Sequence, residues 1–176
     1  MAGAATGKGS AFKTRLLVAG MVLLLLLVAL SSVLNMDRDG LKEGTVVLKT
    51  GDNTLSTFTL DDLQKLPAAE KKITVHSARG NSEHSFTCTP LALLLGSIDP
   101  ALTQNYSKVI ARGIDGYSAV VSMSEILQPD NVYLVYADYG RPLKTKTGGE
   151  GSMQMIVSAD EFGQRFTCWL VSLELQ

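Results

Sequence analysis

The longest feature of the apolar–polar pattern is an unbroken apolar run, LLVAGMVLLLLLVALSSVL, from Leu16 to Leu34. A helix needs roughly 20 such residues to cross a bilayer core, and this run has the length. Lys8, Lys13 and Arg15 precede it, while Asp37, Arg38, Asp39, Lys42 and Glu43 follow. Positive charge on the N-terminal side predicts a cytoplasmic N-terminus and an extracytoplasmic remainder. The competing reading is a cleaved signal peptide, with Ala29 and Ser31 as small residues at the cleavage site. The organisation expected is a cytoplasmic tail over 1–15, an anchor over 16–34, a linker over 35–44 and a domain over 45–176.

From Thr45 onward the period changes to two. TVVLKT alternates and stops at GDN, and TLSTF follows as a second strand. TLDDLQKLP predicts a short helix, with Thr59 as N-cap, Asp62 at the capping-box position and Pro67 as the stop. KKITVHSA and EHSFTC are strands around RGNS. TPLALLLGSI is a helix with Thr89 as N-cap and Pro90 at the first helical position. KVIARGI and YSAVVS flank a DG turn, SMSEIL opens another helix, and NVYLVYA, SMQMIVS and FTCWLVSLEL are further strands. About eight strands with three short helices predict an α+β domain, mostly antiparallel.

Composition changes this picture little. The net charge of the 176-residue chain is −1 and the basic residues form no long run, so no nucleic-acid footprint is present. The two cysteines, Cys88 and Cys168, would both lie outside the cytoplasm, where they can pair.

Chemistry concentrates in TVHSARGNSEHSFTC, residues 74 to 88, which holds both histidines. A turn centred on Gly80-Asn81 sets Arg79 opposite Ser82, Ser77 opposite His84, Val75 opposite Phe86 and Ile73 opposite Cys88. His76 then has the opposite parity to His84, so the two cannot share one metal, and a zinc site would want three or four ligands. No metal is expected from this hairpin. His84 sits where the apolar face meets the turn, which makes it a pocket candidate. Cys88 precedes a helix and admits three readings: a buried small residue, a disulfide partner of Cys168, or a reactive thiol.

The order FTLDDLQKLP, hairpin, TPLALLL, DGYSAVVSMSEIL, NVYLVYADYGRPL, GGEGSMQMIVSADEFGQRFTCWLVSLEL resembles the molybdopterin-binding domain of the sulfite oxidase family, in its small stand-alone bacterial form. The resemblance covers residues 45–176 and implies that fold. In the family a cysteine thiolate holds molybdenum and basic residues hold the pterin phosphate. The metal-holding cysteine falls on Ser77 of Ser77-Ala78-Arg79-Gly80-Asn81, and a hydroxyl replaces a soft thiolate poorly. The family's His-Gly-x-Pro-x-Arg pattern falls with its histidine on Gly149, its proline on Ser152 and its arginine on Gln154. The lysine before Trp169 and Leu170 falls on Cys168. Each lost charge-assisted contact to a phosphate removes about 1.5–3 kcal/mol.

The resemblance therefore implies an inherited fold with a dismantled cofactor site. The expected function is a ligand- or protein-binding module with no cofactor, its cleft lined by Ser77, Arg79, Asn81, His84, Arg112, Asp115, Tyr117 and Arg141. The plainer readings are solvated loop charge for Arg112 and Arg141, and turn chemistry for Asp115. Expected partners are the membrane, through Leu16 to Leu34, and a small ligand or membrane-associated protein. One alternative is a molybdopterin-dependent oxidoreductase with Cys88 as metal ligand. A second is a thiol-redox protein using Cys88 and Cys168.

Overall fold

A computed structural model describes residues 8–35, 41–77 and 80–176. The chain divides into two compact units, Met1–Gly40 and Leu41–Gln176. The first contains helix α1, Lys8–Asn35. Among the described residues no helix is long and apolar enough to cross a membrane. The expected anchor over Leu16–Leu34 is thus not shown, and at both ends it runs past the helix side chains that are described, which are continuous only from Leu17 to Leu30.

The second unit carries eleven strands and four short helices among its described residues. It begins inside the expected linker: Lys42 accepts from the amide of Thr45 at 3.2 Å, and the Glu43 carboxylate accepts from the amide of Lys146 at 2.6 Å. β1 (Thr45–Thr50) and β2 (Asn53–Thr59) form the first hairpin. Helix α2 (Leu60–Gln64) starts on a complete capping box between Thr59 and Asp62, as the sequence predicts. β5 (Lys108–Gly113) and β6 (Ser118–Ser122) pair around the Asp115-Gly116 turn. The C-terminal strand β11 (Leu170–Leu175) inserts between β1 and β5, giving the order β2-β1-β11-β5-β6. Its pairing with β1 is parallel, the one parallel pair among the described strands.

The other sheet runs β3 (Ala69–Ser77), β4 (Gly80–Pro90), β7 (Val132–Asp138), β8 (Arg141–Lys144) and β9 (Glu150–Ser152), with β10 (Gln154–Val157) also on β7. β7 is buried at five successive positions, Val132 to Tyr136, which is how a strand covered on both faces reads. Val132, Leu134 and Tyr136 join the main core with Val46, Leu48 and Leu173. Tyr133 and Val135 face the other way, into a smaller cluster with Phe86, Cys88 and Ile156, closed by Phe166.

Helices α3 (Leu91–Ile98), α4 (Leu102–Asn105) and α5 (Met123–Leu127) complete the unit. α5 has its capping box between Ser122 and Glu125. α3 departs from expectation by one residue. Pro90 is its N-cap, without a side-chain bond, and the Thr89 hydroxyl turns away to the carbonyl of Pro67. The sequence pattern gives no sign of α4, β8 and β9, which are three or four residues each and too short to show a period.

The β3–β4 register corrects the sequence reading. The ladder runs from Ala69 opposite Cys88 to Ser77 opposite Gly80, so Gly80 and Asn81 belong to β4 and are not the turn. Ile73 therefore faces His84, not Cys88, and Val75 faces Ser82, not Phe86. This register extends β3 back to Ala69, which packs against the smaller apolar cluster. The slip is even, so each side chain keeps its face, and His76 and His84 remain on opposite faces.

The disulfide, one of the three readings of Cys88, is not formed in the structure. Cys88 and Cys168 are both free, Cys88 buried and Cys168 exposed. The expected strand FTCWLVSLEL begins only at Leu170, because Trp169 adopts φ 48° and breaks the alternation that would carry Cys168 inward.

Candidate functional site

The candidate residues separate into two groups, one on each sheet. On the first sheet, Arg112 sits in β5 between Ser118 and Ser172, half-buried. Asp115 accepts from the amide of Tyr117 at 3.0 Å, the turn chemistry that an Asp-Gly pair provides. The Tyr117 hydroxyl donates to the carbonyl of Gln164, fastening this turn to the segment before β11. Gly113, beside it, lies so near the carbonyl of Cys168 that a Cβ there would stand 2.5 Å from that oxygen.

On the second sheet stand Asn81, His84 and Arg141. Asn81 Oδ1 lies 2.9 Å from His76 Nδ1, at the exposed end of the hairpin. His76 also borders Phe162, ring edge to ring face at 6.2 Å, in an open groove of about 720 Å³. Arg79 lies outside the described residues, and of Ser77 only the backbone is described. Ser77 faces Gly80 and not His84, so the expected Ser77–His84 pair is not formed.

His84 is the best-fixed of the candidates. Its ring stacks on Phe86 at 4.9 Å and an interplanar angle of 10°, so the core holds its plane. Nδ1 lies 2.7 Å from Asp138 Oδ2, and Nε2 lies 3.1 Å from Ser82 Oγ. Asp138 is itself held, because its other oxygen accepts from the amide of Ser85 at 3.0 Å. Asp138 closes β7 just before a two-residue turn in which Tyr139 and Gly140 both have positive φ, 49° and 72°. That conformation matches the twist of a tight hairpin. Opposite Asp138 across this turn stands Arg141, exposed, with no ion pair among the described residues. His84, Ser85 and Tyr139 line a groove of about 520 Å³ with Lys72 and Thr74.

Sequence reasoning missed Asp138 and Ser82. Ser82, His84 and Phe86 recur at a spacing of two on one strand, which was the available signal for Ser82. Asp138 joins them only through the β4–β7 ladder, Phe86 opposite Asp138, and no local pattern reports that.

The donor set does not fit a soft metal. Among the described residues no three His, Cys, Asp or Glu side chains gather as metal ligands. Cys88, the alternative ligand, is fully buried, and its thiol donates to the carbonyl of Ala69 at 3.4 Å. Burial pushes that thiol up to about 12, far from thiolate formation at neutral pH. Cys168 is exposed, yet local desolvation and the Asp115 carboxylate hold its thiol above the ordinary value as well. Gly149, Ser152, Gln154 and Cys168 bring no cation for a phosphate.

No family model matches the chain, and no curated protein does. Among solved structures, the sulfane dehydrogenase SoxCD from Paracoccus pantotrophus is similar, at a TM-score of 0.59 and 16% identity. The match covers 74% of this chain and 37% of that one, so this chain spans well under half of its length. The likeness is one of fold alone and supports a sulfite-oxidase-like fold.

Proposed function

We propose that the chain is a membrane-anchored, extracytoplasmic binding module that keeps a sulfite-oxidase-like fold and has lost the molybdopterin site. The observation that carries the reading is the hairpin of β3 and β4. Where the family has its metal-holding thiolate, this hairpin has Ser77, and its His84 is committed to Asp138 and Ser82. The groove beside His84 is the ligand site in this reading, with Lys72 in its lining as a cation for an anionic group. The uncharged run Leu16–Leu34, with Lys8, Lys13 and Arg15 before it, supports the anchor and its orientation.

Two measurements test this. Protein purified from a host that makes molybdopterin, then denatured and oxidised, should release no fluorescent pterin; a stoichiometric yield would restore the oxidoreductase reading. A single cysteine introduced at exposed Glu70 in a Cys168→Ser background should react with an impermeant maleimide on intact cells. Reaction only after lysis would overturn the topology.

A further inference from the structure

We propose that Ser82, His84 and Asp138 form a nucleophile–base–carboxylate relay that hydrolyses small carboxylic esters or thioesters. The three groups are in mutual reach: Ser82 Oγ to His84 Nε2 is 3.1 Å, and His84 Nδ1 to Asp138 Oδ2 is 2.7 Å. Each imidazole nitrogen has the partner its role requires. With the ring proton on Nδ1 facing the carboxylate, Nε2 is left to accept the serine hydroxyl. The parts are also held before any substrate arrives. Phe86 fixes the imidazole plane at 4.9 Å, and the Ser85 amide fixes Asp138 at 3.0 Å. Asp138 acts through His84 and is the positioning residue of the set.

Access fits the same chemistry. Ser82 is exposed, and the His84 and Asp138 side chains are 29% and 27% exposed, open to a small substrate yet partly shielded from water. Of the three, His84 lines the groove of about 520 Å³, and Ser82 Oγ stands next to it at 3.1 Å from Nε2. Arg141 pairs with Asp138 in the ladder and shares the face that carries His84.

The step balances without any co-reactant but water. Ser82 Oγ adds to the carbonyl carbon as its proton passes to His84 Nε2. The bond from that carbon to the leaving oxygen or sulfur then breaks, and the imidazolium returns the proton to the leaving group. Water repeats the sequence on the acyl-serine, releasing the carboxylic acid and restoring the hydroxyl. The inference rests on reading this groove as the ligand site. It does not depend on the fate of the pterin, whose content in the same preparation reports on the binding-module reading separately.

The test is covalent labelling of the full chain with a fluorophosphonate, read by intact mass and peptide mapping. Attack by Ser82 forms an Oγ–P bond and expels fluoride. One adduct per chain is expected, on the peptide carrying Ser82, and Ser82→Ala should abolish it with an unchanged melting temperature. Loss of the base in His84→Ala should slow labelling by about 100-fold or more, with partial recovery on adding imidazole. Asp138→Asn should slow it by at least about tenfold at parental stability, a loss that a purely structural carboxylate would not cause. An unlabelled folded chain, an adduct on another residue, or parental labelling of His84→Ala would each overturn the proposal.

Discussion

Arg165 binds two carboxylates at once: it reaches Glu125 at 2.7 Å and Asp160 at 2.7 and 2.9 Å. Glu125 is the capping-box residue of α5, and Asp160 lies in the segment between β10 and β11. One guanidinium thus ties a helix start to the long return that brings β11 into the first sheet. Arg165→Ala leaves two half-shielded carboxylates unpaired and should cost about 2 kcal/mol, measured by denaturant melts. Arg165→Lys cannot reproduce the fork and should recover only part of that.

The same triad gives a pH dependence. The Ser122 backbone amide, then Arg165 and the Ser122 hydroxyl, hold Glu125 down to about 2 from an ordinary 4.5. A carboxylate depressed on folding stabilises above its unfolded value, and that stability is lost as pH falls through the folded one. Melting temperature should therefore drop between about pH 4.5 and 2, and the part due to this group should vanish in Glu125→Gln. An unchanged acid limb in that variant would contradict the assignment.

Gly113 makes a separate prediction. A Cβ there would lie 2.5 Å from the carbonyl of Cys168 and 2.7 Å from Asp115 Oδ1. The first neighbour is backbone and cannot swing away, so Gly113→Ala should destabilise by about 1–3 kcal/mol. It should also loosen the Asp115–Tyr117 turn, visible as faster amide exchange at Tyr117.

The cysteines should behave as two independent thiols. A thiol reagent should find Cys168 on the native protein and Cys88 only after unfolding, since Cys88 has no exposed surface. Melting curves with and without reductant should coincide. Cys88→Ser buries a hydroxyl in an apolar cluster and should cost about 1–3 kcal/mol, whereas Cys168→Ser should be near neutral.

The reach of the sequence can be read from these same residues. Thr59 with Asp62, and Ser122 with Glu125, announce helices α2 and α5 because a capping box is a local signal. The continuous apolar run of β7 likewise shows in the pattern. The turn of the β3–β4 hairpin was misplaced because Gly-Asn is a good turn pair in isolation, while the ladder that decides the register depends on Ala69 reaching Cys88. Trp169 at φ 48° broke a strand that composition alone would have continued. Of the candidate site, His84 was legible, and its partner Asp138, 54 positions away, was not.

A sulfite-oxidase-like fold that has lost the family's metal ligand should bind no molybdenum, and the molybdenum content per chain decides this. Full-length protein purified from a molybdopterin-producing host, grown with added molybdate, should contain molybdenum at well under one atom per ten chains by elemental mass spectrometry. A content near one atom per chain, retained through gel filtration, would contradict the account and make the chain an oxidoreductase.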